Sequence, residues 1–158
     1  MHKQAKWQLI LLFFYISGAG CDSYSTNTDL DRSVYNRSLS GFQKCDRTMV
    51  EGWYRFNSTA GTRIPDYCVN RYMCNTHASG WLNGTHPTVR EGAVNRTVCF
   101  HWKSDCCRWS TAIMVRNCGP FFTYRLVPPG TCYLRYCVTD ATSSHQRTWE
   151  TLHYPIAK

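Results

Sequence analysis

Cysteine is the residue type through which this chain of 158 residues can do most chemistry, and it has ten of them, at positions 21, 45, 68, 74, 99, 106, 107, 118, 132 and 137. Thiolates bind zinc, carry redox reactions, attack carbonyls or close into disulfides, and their spacing separates these uses. No C-x-x-C pair occurs, so neither a zinc ribbon nor a thioredoxin-like redox site is expected. Cys99 with His101, Cys106 and Cys107 is the nearest approach to a ligand cluster, but adjacent residues on a strand point apart and do not share one tetrahedral ion. No protease signature surrounds any cysteine, and G-x-S-x-G is absent. An even number of cysteines in so short a chain fits five disulfides. Cys106 and Cys107 should each find a different partner. A ring between neighbours conflicts with the usual Cα separation of about 4.4–6.8 Å and with an unstrained trans peptide.

Other side chains offer less. Glu51, Asp66, Glu91 and Asp105 could supply a glycosidase-like acid pair, but any basic domain has a few acids at arbitrary spacing, and they are read as surface charges. His77 and His86 flank Trp81, which would suit a sugar-stacking site; a tryptophan beside a turn is read instead as a packing anchor. No catalytic residue, metal ligand or cofactor site is assigned. What survives is modification. Asn36-Arg37-Ser38, Asn57-Ser58-Thr59, Asn83-Gly84-Thr85 and Asn95-Arg96-Thr97 satisfy the N-x-S/T acceptor rule, with no proline in the middle. Asn36, Asn57, Asn83 and Asn95 are the expected glycosylation sites.

Strands must hold these residues in place. Val94, Val98, Phe100 and Trp102 share one parity, and Asn95, Thr97 and His101 share the other. Ile113 with Val115, then Phe122, Tyr124 and Leu126, repeat the two-residue period of half-buried antiparallel strands. Arg96 falls on the apolar parity and breaks the pattern. Asn95 lies opposite the apolar set and should face solvent. Asn83-Gly84, Gly119-Pro120 and Pro128-Pro129-Gly130 mark turns. Helical spacing is not sustained, a short helix over 88–94 being the one exception allowed. The stretch from Cys21 to Phe42, rich in Ser, Asn, Asp and Thr, is expected to be an extended arm of low regularity, tied down at its cysteine ends. The fold class is a small, disulfide-rich, mainly antiparallel β domain, with a β-rich α+β arrangement as the alternative.

A hydrophobic content of 43% with 18% charged residues supports one compact domain and lacks the signature of disorder. The formal charge of +8 comes from basic residues spread singly, and no cluster exceeds Lys44 with Arg47, so no nucleic-acid face is expected. His2, Lys3 and Lys6, the mainly apolar run Trp7–Ile16, and the small residues Ser17, Gly18, Ala19 and Gly20 read as a secretory signal peptide over 1–20. That run is too short for a bilayer about 30 Å thick, which needs roughly 20 residues. Residues 142–158 are polar, so no transmembrane anchor is expected. All ten cysteines lie beyond Gly20 and survive cleavage.

A larger set of residues carries a resemblance. Gly52-Trp53-Tyr54-Arg55-Phe56, Ile64-Pro65 with Cys68 and Cys74, Trp81-Leu82-Asn83-Gly84-Thr85-His86-Pro87, and Glu91-Gly92 appear in order. Cys99 with His101-Trp102, Cys106-Cys107, Val115 before Cys118, and Cys132-Tyr133-Leu134-Arg135-Tyr136-Cys137 follow. Together they resemble the cysteine-rich domain of the uromodulin and pancreatic zymogen-granule membrane glycoprotein family, an eight-cysteine core whose two upstream additions match Cys21 and Cys45. The resemblance covers 21–140, with its core at 52–137, and leaves 141–158 as a polar tail. It implies the pairs Cys21–Cys118, Cys45–Cys132, Cys68–Cys106, Cys74–Cys137 and Cys99–Cys107.

In that family the domain belongs to a glycan-bearing, non-enzymatic head that acts as a decoy, its mannose-rich chains being bound by bacterial fimbrial adhesins. The resemblance therefore implies a secreted, extracellular glycoprotein module in mucosal defence, with glycan-binding microbial adhesins or extracellular glycoproteins as partners and no cofactor. Two positions depart from the pattern. The places where family members carry the adhesin-binding glycan hold Arg125-Leu126-Val127 and Asp22-Ser23-Tyr24, neither an acceptor, whereas Asn83 matches the family word. The epidermal-growth-factor-like and polymerising modules of the large relatives are not in this sequence, so filament assembly is not expected. The alternative from another class is a cationic secreted antimicrobial or toxin-like effector acting on anionic surfaces. The sequence leaves the oligomeric state open.

Overall fold

The computed structural model describes residues 19–38, 41 and 43–140. The expected polar tail, and the expected signal segment except Ala19 and Gly20, lie outside the described residues. The described chain forms a 7-stranded sheet from β1 (Ser25–Asn27), β2 (Gly52–Phe56), β3 (Ala78–Asn83), β4 (Ala93–Trp102), β5 (Asp105–Asn117), β6 (Phe122–Leu126) and β7 (Leu134–Tyr136), in the spatial order β1-β2-β6-β5-β4-β3-β7. The alternations read from the sequence are the centre of this sheet. Val94 opposes Val115, Val115 opposes Tyr124, and Tyr124 opposes Tyr54, so one apolar row crosses β4, β5, β6 and β2 on the same face. Val98, Phe100, Ile113, Val115, Tyr124 and Leu126 are buried there with Leu82, Phe56, Leu134 and Tyr136. Removing such side chains from water is the main favourable term in holding the sheet together.

The expected antiparallel arrangement holds for the central ladders, but two edge pairs are parallel: β1 with β2, and β3 with β7. Three-residue strands carry too little periodicity to reveal themselves, and a parallel partner arrives through a long connection, which no turn motif announces. Gly80 allows β7 to close on β3: a Cβ there would meet the Arg135 carbonyl oxygen at 2.6 Å. The short helix allowed over 88–94 is a single 3-10 turn, Val89–Glu91, in which the Glu91 carboxylate accepts hydrogen bonds from the Thr88 backbone N–H (2.7 Å) and hydroxyl (2.8 Å).

The arm departs from expectation. It contains β1 and a 3-10 turn (Leu30–Arg32), and it buries Val34 and Arg32. Polar composition alone reads as an extended segment of low regularity, but Arg32 of the arm is buried among polar partners. Arg32 donates two hydrogen bonds of 2.8 Å to the Asp46 carboxylate and a third, of 3.0 Å, to the Tyr136 carbonyl. Asp46 also accepts from the Tyr136 backbone N–H at 2.9 Å. Arg135, 1% exposed, donates to Asp31 (2.9 Å), Asp29 (3.2 Å) and the Cys74 carbonyl (3.0 Å). Burial works to raise the Asp31 carboxyl, but hydrogen bonds from Arg135, Lys44 and Asn75 outweigh it and hold the group far below the usual carboxylate range. Buried charges persist only when paired and hydrogen-bonded in this way.

Five disulfides frame the structure, and no described cysteine is free. Cys21–Cys118 and Cys45–Cys132 tie the two ends of the arm across 97 and 87 residues of sequence. Cys68–Cys106 and Cys74–Cys137 staple the long β2–β3 connection to the β4–β5 hairpin and to the end of β7. Cys99–Cys107 crosslinks the hairpin itself.

Candidate functional site

One face of the sheet is buried; the other is covered around Ser79, Trp81 and Cys99 and opens to solvent further along, at Asn83, Asn95 and Ala112. Leu82 opposes Val98 on the buried side, so the next pair along, Asn83 opposite Thr97, points outward. Asn95 follows on the same face and opposes Met114, while Thr97 opposes Ala112. Asn83, Asn95 and Ala112 are exposed. Residues diagonal across an antiparallel pair stand roughly 7–8 Å apart, so Asn83 and Asn95 are neighbours on one surface. Asn95 faces solvent as the strand alternation requires.

Arg96, which breaks the apolar parity of β4, has a use there. Its Nε donates to the Thr85 carbonyl at 2.8 Å and its Nη1 to the Asn95 carbonyl at 2.9 Å. The side chain passes over Gly84, where a Cβ would lie 3.3 Å from the Arg96 Cδ. One guanidinium therefore ties the turn of the Asn83 triplet to the strand of the Asn95 triplet. In one dimension this position shows only a broken pattern.

The two remaining acceptor triplets lie elsewhere. Asn57 is exposed at the end of β2, its backbone N–H bonded to the Asn27 carbonyl at 3.0 Å. Asn36 is half-buried, and its side-chain amide donates to the Asp31 carbonyl at 3.3 Å. The hydroxyl of Ser38, the third residue of that triplet, is buried without a hydrogen-bond partner among the described residues.

The other candidates do not converge. Cys68 and Cys106 come together with His101, their ligand atoms within 4.8 Å of one another, but the two sulfurs are bonded to each other and are not free thiolates. His101 Nδ1 lies 2.8 Å from the Val69 carbonyl; a carbonyl only accepts, so that nitrogen carries the proton. Trp81 donates its indole N–H to the Cys106 carbonyl at 2.7 Å and packs against the Val34, Val69, Cys74 and Cys137 cluster, as a packing anchor does. His86 stacks near Phe122 and lies 2.9 Å from the Tyr124 hydroxyl, while His77 belongs to a separate ring cluster with Tyr72, Trp102 and Tyr133. Burial, helped by the charge of Arg63, lowers His86 from 6.5 to about 4. The Tyr124 hydroxyl accepts from the Ile64 N–H at 3.1 Å and so donates to neutral His86.

The acids are similarly dispersed. Glu51 pairs with Arg125 at 2.9 Å, Glu91 caps Thr88, and Asp105 accepts from the Cys107 N–H at 2.8 Å. The arrangement is thus a cysteine-rich, disulfide-framed β module whose outward face carries acceptor asparagines.

The family model of the uromodulin-like domain matches residues 54–138, and the chain belongs to that family. It is 47% identical over 125 residues to the pancreatic secretory granule membrane major glycoprotein GP2 of Canis lupus familiaris, a match that covers 78% of this chain and 24% of that protein. It is equally 47% identical over 125 residues to uromodulin of Rattus norvegicus, covering 78% of this chain and 18% of the relative. The human GP2 protein is 42% identical over 125 residues, covering 78% and 23%. The chain therefore spans a quarter or less of the length of these relatives.

Proposed function

We propose that this chain is a secreted, N-glycosylated, non-enzymatic binding module that displays glycans from one face of its sheet. The single observation that carries this reading is the shared outward face of Asn83 and Asn95, braced by Arg96. Asn57 is a third, separate display point on the described surface. The proposed organisation is a signal peptide over 1–20, the ten-cysteine domain over 21–140 and a polar tail over 141–158. Disulfide framing fits folding in an oxidising compartment, and GP2 relatives are by name secretory granule membrane glycoproteins. No helix of the described residues is long and apolar enough to cross a membrane.

The partners this reading favours are bacterial adhesins that recognise mannose-rich chains, with the module as a soluble decoy. Neither Arg125-Leu126-Val127 nor Asp22-Ser23-Tyr24 is an acceptor, so the display falls to the Asn83 and Asn95 face instead. The test is to secrete the full chain from animal cells, remove its glycans enzymatically and measure binding to fimbriated enterobacteria. Loss of binding supports the decoy. Binding that survives deglycosylation and falls steeply with salt overturns it in favour of the cationic effector.

A further inference from the structure

A second surface, away from the acceptor face, has the chemistry of a receptor rather than of a display. Beside the tip of the β4–β5 hairpin, His77, Ala78, Trp102, Trp109, Tyr133 and Leu134, with Cys132, line an open cavity of about 190 Å³. Three of the lining rings pack together, His77 lying 4.7 Å from Tyr133 and 5.8 Å from Trp102, and Tyr72, outside the lining, lies 5.5 Å from Trp102, centroid to centroid. Tyr133 is 46% exposed, Trp109 38% and Tyr72 37%, so three of the seven exposed large hydrophobic side chains among the described residues gather at this one place. Leu134 and Ala78 form a buried floor.

Cations flank these rings. The Arg108 guanidinium carbon stands 5.9 Å from the Trp109 ring centre, and that of Arg71 stands 5.5 Å from the Tyr72 ring centre. Lys103 is exposed at the hairpin turn. Among the described residues none of these three cations has an ion-pair partner. The acid on the same hairpin, Asp105, spends one carboxylate oxygen on the Cys107 N–H.

The geometry points to a binding site for a sulfated oligosaccharide. Ring faces with polar tips suit a pyranose, which has apolar C–H faces and a hydroxyl edge, better than they suit an aliphatic side chain. The cavity is below the roughly 300 Å³ at which pockets for drug-sized ligands begin, so it takes one sugar ring while the sulfates on neighbouring rings reach Arg71, Lys103 and Arg108. Guanidinium groups make charge-assisted, often bidentate, hydrogen bonds to such oxyanions. In the decoy reading the protein's own sugars are the bait; here the protein itself is the reader, and the two ideas stand independently.

The test titrates the full secreted chain with a heparin-derived tetrasaccharide at about 0.15 M salt, following tryptophan fluorescence. The expected result is saturable quenching that persists after enzymatic removal of the protein's own glycans. Affinity should fall about tenfold or more for the fully desulfated tetrasaccharide, for the Arg71→Gln/Arg108→Gln double variant, and for Trp109→Ala. The arginines are exposed, so the double variant folds even if Trp109→Ala does not. Absence of saturable binding overturns the proposal. So does unchanged affinity in the arginine double variant, or equal binding of a polyglutamate of matched charge, which would show a non-specific polyanion surface.

Discussion

The guanidinium of Arg96 lies 2.8 Å from the carbonyl oxygen of Thr85, so the middle residue of one acceptor triplet holds the last residue of another. The β3–β4 register sets the relative placement of Asn83 and Asn95, and this contact ties the chain just after Asn83 back to the strand that carries Asn95. Replacing Arg96 by Ala should leave the fold intact, at a cost of about 1 kcal/mol for lost hydrogen bonds. The turn at Gly84-Thr85 should become more mobile. Amide hydrogen exchange at 83–86, compared with exchange in β6, measures this directly; uniform exchange in wild type and variant would show that the contact does not brace the turn.

Glycan occupancy should differ among the four triplets. Asn57, Asn83 and Asn95 are exposed, whereas Asn36 is half-buried and its amide is bonded to Asp31. Peptide mapping by mass spectrometry of protein secreted from animal cells should find the first three occupied and Asn36 the least so. Asn83→Gln/Asn95→Gln should remove most adhesin binding, and Asn57→Gln should not.

The buried pair of Arg32 and Asp46 should be the most sensitive point of the arm. Asp46→Asn takes from buried Arg32 its closest counter-charge and leaves it only the half-exposed Asp29 at 3.2 Å, and breaking a buried pair typically costs about 3–5 kcal/mol. Chemical denaturation with the disulfides intact should show a loss on that scale. Arg32→Met/Asp46→Leu removes both charges together and should recover much of it, which a simple loss of packing would not predict.

Stability should also fall in mildly acidic solution. His86 titrates at about 4 in the folded protein against 6.5 when free of the fold. Above the higher value both states are neutral and the full stability is present. As the pH drops from 6.5 towards 4, the unfolded chain takes up a proton that the folded chain refuses, so stability declines by up to about 3 kcal/mol. Thermal unfolding at pH 7 and pH 4.5 measures the decline, and His86→Gln, which keeps an acceptor for the Tyr124 hydroxyl, should flatten it within that window.

The disulfides should contribute unequally. Cys99–Cys107 spans 8 residues of sequence and Cys21–Cys118 spans 97. On the chain-entropy account these close loops worth about 2.5 and 4.7 kcal/mol respectively. Cys99→Ala/Cys107→Ala should therefore still fold, and Cys21→Ala/Cys118→Ala should lose about 2 kcal/mol more in urea titrations. Equal losses would show that native-state packing, not loop closure, sets these contributions.

What the linear chain settled by itself is the material of the fold: ten cysteines for five crosslinks, strands wherever apolar residues alternate over five or more positions, and the outward direction of Asn95 within its strand. Each of these depends on residue identity or on a period of two, which are local properties. Tertiary structure alone decided the rest. β1 and β7 are too short to have a period and exist because β2 and β3 offer them free edges. Arg32 and Arg135 look like surface residues until the fold brings Asp46 to Arg32 and carries Asp29 and Asp31, far away in sequence, to Arg135. Arg96 looks like an error in a strand until the turn at Gly84 comes within reach. The aromatic cavity joins residues from before β3, from the β4–β5 hairpin and from before β7, and no spacing in one dimension records that they meet.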